Sequence, residues 1–121
     1  MSKITVLKEE ELVASKVEMG DCFFKRLVGL TSRKTMDEDE GILLKPCSQI
    51  HTYSMSFSID ALFLTKEGEI LHIEHNLSPN RISKYVKNAD SVLELKGNTA
   101  AEKNLAIGDR IRLVGEEKKE E

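Results

Sequence analysis

The chain has 121 residues, 40% apolar and 32% charged, with 18 basic side chains against 21 acidic ones for a net charge of -3. That length suits one domain with one hydrophobic core, and the composition lies far from the low-apolar extreme at which chains stay disordered. There is no basic stripe to release counterions from nucleic acid, no apolar run near the roughly eighteen residues of a membrane span, and no secretory leader in residues 1–6, so a cytoplasmic protein with neither nucleic-acid nor membrane partner is expected.

In chain order, residues 4–7 are short, β-branched and alternating, as in an opening strand, and residues 12–14 extend after them. From Gly20 the period changes. Phe23, Leu27 and Leu30 recur at helical spacing while Lys25, Arg26 and Arg33 fall elsewhere on the wheel, which predicts a short amphipathic helix over 21–30. The polar stretch 32–40 reads as a loop with Met36 turned inward. Strand signals follow at 42–44, 48–53, 61–65 and 70–75, the last two joined by Lys66-Glu67-Gly68-Glu69 in a hairpin. Residues 76–88 carry the turn residues of an irregular connection, and 92–95 resume as a strand. Thr99 and Glu102 fit a capping box that starts a short helix to Leu105. Residues 110–114 alternate as a last strand before a charged tail at 115–121.

About seven short strands against two short helices, without the regular alternation of parallel βαβ units, predict a mainly β domain with its core over 3–114. Its architecture is expected to be an antiparallel sandwich or partly open barrel. Cys22 and Cys47 form neither a C-x-x-C pair nor a zinc quartet, and buried, reduced thiols are the expectation. Gly68, Gly97 and Gly108 read as turn glycines, because no phosphate-cradling glycine motif and no G-x-S-x-G elbow is present. No cofactor is assigned.

The run from His51 through Asp60 to Leu64 (HTYSMSFSIDALFL) resembles the central signature of the DUF192 family, a domain of unknown function. Further pieces occur in the same order: Arg26-Leu27-Val28-Gly29-Leu30 with Arg33, Gly41-Ile42-Leu43-Leu44, Pro79-Asn80-Arg81, Val92-Leu93-Glu94-Leu95 with Gly97, and Gly108-Asp109. The resemblance spans about residues 20–114 and implies a compact, mainly β, jelly-roll-like fold; it supplies no activity, cofactor or catalytic residue. Ser56 and Ser58 stand where the family commonly has a basic residue and a proline.

His51, Asp60 and Arg81 are the candidates for a polar site, since an imidazole, a carboxylate and a guanidinium can orient one another around a small polar ligand. Tyr53 shares the parity of Met55, Phe57 and Ile59, which read as core, and could line a pocket beside them. The competing account makes Asp60 a buried structural acid that accepts backbone hydrogen bonds. Cys47 lies four residues before His51, about 13 Å away along one extended strand, too far for a direct nucleophile and base pair. His72 and His75 fall on opposite faces of a strand, leaving His72 with Glu74, or His51 with Asp60, as partial metal sites short of the ligands that zinc needs. The favoured function is a noncatalytic module holding a small polar ligand or a protein segment at His51, Tyr53, Asp60 and Arg81. The alternative is a hydrolase using His51 and Asp60 with Cys47 or a metal.

Overall fold

The computed structural model describes residues 4–20, 35–53 and 55–115. Its strands are β1 (Ile4–Lys8), β2 (Glu11–Gly20), β3 (Glu40–Leu44), β4 (Ile59–Leu64), β5 (Ile70–Leu77), β6 (Ser91–Lys96) and β7 (Ile111–Gly115), with one helical turn, α1 (Thr99–Glu102). They form a single sheet in the order β5-β4-β6-β3-β2-β1-β7. The sheet curls until one end of β5 meets the start of β7: Ile70 N donates to Asp109 O at 2.8 Å, Ile111 N donates to Gly68 O at 2.9 Å, and Glu69 bridges Arg110. The fold is therefore mainly β, a curled, partly open barrel. The predicted helix over 21–30, with Cys22, lies outside the described residues.

The strand pairs are antiparallel with one exception, β2 with β3, which is parallel. The predicted antiparallel arrangement holds for the other five strand pairs, and this pair departs from it. Nineteen intervening residues separate Gly20 from Glu40, enough for a crossover that returns the chain in the same direction.

The curled sheet also buries more than the single core expected from chain length. One apolar cluster, including Val6, Val17, Leu43, Leu62, Leu64, Leu93 and Ile111, fills the barrel interior. A second, including Met36, Leu44, Ile50, Met55, Phe63, Val86 and Val92, packs loop segments on the other face. Central strands make this possible. All of β4 and all but the last residue of β6 are buried, because both faces of a strand flanked on each side by neighbours can be covered.

The β4–β5 hairpin forms where Lys66 to Glu69 predict it, with Thr65 N donating to Glu69 O at 3.0 Å. Gly68 has φ 91, and a Cβ there would stand 2.3 Å from Ile111 O, so both its conformation and its closeness to β7 demand glycine. Two local expectations are corrected. Residues 48–53 belong to no strand of the sheet, being tied to the segment at 81–86 by the single His51–Ile82 bridge and a few backbone hydrogen bonds. Thr99 does not cap a helix through a capping box; Asn98, at φ 77, occupies the cap with no side-chain cap bond, and the helical turn ends at Glu102.

Candidate functional site

The four residues picked from sequence fall into two places. Asp60 lies in β4 on the interior face with Leu62 and Leu64, and is fully buried. One carboxylate oxygen accepts from Asn76 N at 2.8 Å and Asn98 N at 3.2 Å, and the other from Ala100 N at 2.7 Å. It thereby joins the end of β5, the turn after β6 and the first turn of α1, accepting from one of the amides that a helical turn cannot itself satisfy. Asn76 and Asn98 also link to each other, Nδ2 to Oδ1 at 2.6 Å. None of the Asp60 hydrogen bonds reaches His51, Tyr53 or Arg81. Asp60 lies apart from the other three: β4 presents it to the interior cluster, while Ile50 and Met55, flanking His51, pack on the opposite face.

His51, Tyr53 and Arg81 share the second place. Backbone hydrogen bonds run between the two segments that carry them: Thr52 N donates to Arg81 O at 2.8 Å, Ser83 N to Ile50 O at 2.9 Å, and Val86 N to Ser48 O at 2.9 Å. Thr52 is the fastener. Its buried hydroxyl donates to Ser78 O at 2.5 Å and accepts from Arg81 N at 2.9 Å, while its carbonyl accepts from Asn80 N and Met55 N. Ile50 and Thr52 are buried, whereas His51 is half-buried and Tyr53 exposed. Their rings stack at 4.8 Å between centroids, and Tyr53 N donates to His51 Nδ1 at 3.3 Å. Ile82, directly across from His51, is 57% exposed; Tyr53 is 46% exposed, and Tyr85, further along the same segment, 59%. Arg81, Lys84 and Lys87 are exposed on that segment too.

Chemistry by a cysteine or a metal finds little geometry here. Cys47 is buried and held in a disulfide, correcting the expectation of a reduced thiol; the sequence's other cysteine, Cys22, lies outside the described residues. A disulfide sulfur carries no thiolate for nucleophilic attack. His72 and Glu74 do come together, Nε2 to Oε2 at 3.3 Å, and the His72 ring lies 5.5 Å from that of Phe63. Glu74 Oε2 accepts from Lys84 N at 3.0 Å, which ties β5 to the exposed segment. Among the described residues no group of three or more His, Cys, Asp or Glu side chains is arranged to hold a metal ion.

Two polar residues that organise these places, Thr52 and Asn98, and one buried elsewhere in the sheet, Glu94, were not among the candidates read from the sequence. Thr52 and Asn98 gave no signal, because their importance lies in contacts with distant segments. Glu94 did leave one. It alternates with Val92 on the face of β6 that meets Ala61 and Ile42, is wholly buried, and a carboxylate inside an apolar strand pattern marks a position that must be electrostatically compensated. Elsewhere, a cleft of about 550 Å³ opens between the β4–β5 turn and β7; none of His51, Tyr53, Asp60 and Arg81 lines it.

Two solved structures share this architecture. One, from Sinorhizobium meliloti 1021 and described as a "putative transcription regulator", is 23% identical over 93% of this chain and 92% of its own, with a TM-score of 0.74. The other, a protein of unknown function from Novosphingobium aromaticivorans DSM 12444, is 19% identical over 90% of this chain and 82% of its own, with a TM-score of 0.76. At these identities the likeness establishes the fold alone. No curated protein matches the sequence. The DUF192 family model, described as "Uncharacterized ACR, COG1430", matches residues 4–113, and the chain belongs to that family.

Proposed function

We propose that the chain is a noncatalytic binding module whose ligand is another protein, held on the surface of His51, Tyr53, Ile82 and Tyr85. The observation that carries this reading is the stacked, partly exposed His51–Tyr53 pair set directly against exposed Ile82. Aromatic and aliphatic side chains exposed together on a braced surface resemble the anchors of protein interfaces, in which rigid rings contribute much area at small entropic cost. The Thr52 hydrogen bonds hold the two segments in register, so little ordering remains to be done on binding. Arg81, Lys84 and Lys87 give the surface a basic margin, which favours an acidic partner. Nucleic acid is disfavoured by the overall charge of -3.

A photo-crosslinking residue placed at Tyr53 or Tyr85 in the host cell tests this, with Leu12 and Ile107 as exposed apolar controls on other parts of the molecule. Discrete protein adducts from the first pair and none from the controls are expected. Equal adduct patterns from all four positions, or adducts only with nucleic acid, would overturn the reading. Location is a separate proposal. No helix among the described residues is long and apolar enough to cross a membrane. We propose the cytoplasm, where reducing conditions would open the Cys47 disulfide, so that rapid thiol blocking in cells recovers Cys47 as a thiol; recovery of the intact disulfide would instead place the protein in an oxidising compartment.

A further inference from the structure

We infer that the free edge of β7 receives an extended acidic segment of a partner protein as an added strand. This edge is distinct from the His51 surface, and the inference does not depend on that surface being used. Among the described residues β7 stands last in the sheet, with β1 as its one strand partner. Ile111 N points away from β1 to reach Gly68 O. By alternation the amide and carbonyl of Leu113, and the amide of Gly115, point the same way. At Gly68 the β4–β5 hairpin turns back, and beyond it no strand among the described residues meets β7 on that side. Leu113 is 40% exposed, and no backbone hydrogen bond from it to that side occurs among the described residues. An unprotected edge of this kind is a template for strand addition, where main-chain hydrogen bonds supply affinity and side chains supply choice.

The side chains select the occupant. Lys66, Arg110 and Arg112 line the cleft beside the edge, against Glu9 and Glu67, and none of the three cations is within ion-pair distance of a carboxylate among the described residues. Lys66 stands at the hairpin tip where an added strand would begin, and Arg112 faces outward on β7. Self-pairing fits poorly. A twofold ladder centred on Leu113 would set the two Arg112 side chains on one face at diagonal positions about 7–8 Å apart, where like charges repel. A segment alternating carboxylate and apolar residues instead sets its acids toward Lys66 and Arg112 and its apolar side chain toward Leu113.

The test uses the full chain, isotope-labelled, titrated with the capped peptide Glu-Val-Glu-Val-Glu and with its lysine counterpart. The acidic peptide is expected to saturate and shift the amides of residues 66–68 and 113–115, while the basic one does not bind. Arg112→Glu, at an exposed position, should weaken the acidic peptide about tenfold and gain affinity for the basic one, with an unchanged amide spectrum elsewhere. No saturable shift at millimolar peptide, shifts elsewhere on the molecule, or equal binding of both peptides would overturn the inference. So would a concentration-dependent dimer of the free chain that Arg112→Glu abolishes.

Discussion

The junction at Asp60 and the surface at His51 sit on opposite faces of β4 and treat their polar groups in opposite ways. At Asp60 two carboxylate oxygens meet three backbone amides, the carboxylate itself is shut off from solvent, and the residue joins three segments. At His51 the hydrogen bonds are made by the backbone and by buried Thr52, which leaves the rings of Tyr53 and Tyr85 and the side chain of Ile82 facing water. A chemically suggestive residue can thus be architecture, while an unremarkable threonine sets the exposed surface in place. Satisfied burial marks the structural role, and braced exposure is what the proposed binding role requires.

The contrast breaks most sharply at Asp60. Asp60→Asn keeps the shape but sets an amide group where two oxygens accept three N–H groups, and about 3 kcal/mol of stability should be lost, read from the urea midpoint. A loss below about 0.5 kcal/mol would return Asp60 to the list of functional candidates. Next comes Gly68→Ala. Its Cβ would press on Ile111 O and strain the positive φ, so about 2 kcal/mol should go, with faster hydrogen exchange at the Ile111 amide as the ends of the barrel part.

A smaller effect is expected at Asp109, which accepts from Ala106 N and pairs with Lys8 Nζ at 2.9 Å. The Lys8 hydrogen bond first, and the Ala106 amide after it, hold its carboxyl below the ordinary 3.8. A depressed folded-state pKa means that the stabilisation is present above 3.8 and is lost as pH falls through the folded value. Asp109→Asn should therefore cost about 1 kcal/mol near pH 7, in thermal or urea unfolding, and progressively less in acid. A penalty that does not change with pH would show that the ion pair contributes nothing. The smallest effect sharpens the comparison from the other side: Tyr53→Ser and Tyr85→Ser should each shift stability by less than about 0.5 kcal/mol while abolishing the partner adducts. Unfolding of either variant would make those rings structural.

The sequence alone determined the strand-rich architecture, the hairpin at Lys66 to Glu69, the inward set Met55, Phe57 and Ile59, and the family. These follow from period-two patterning, from turn chemistry and from an ordered run of motifs, each readable over a few neighbouring residues. The tertiary structure decided the parallel β2–β3 pair, the burial of both sheet faces and the division of the predicted site. Which face a strand residue meets, and which distant amide a carboxylate receives, depend on register and on how the sheet curls. Asp60 shows the reason most directly. Its three donors lie 16, 38 and 40 residues further along the chain, and only the folded sheet brings them to its two oxygens.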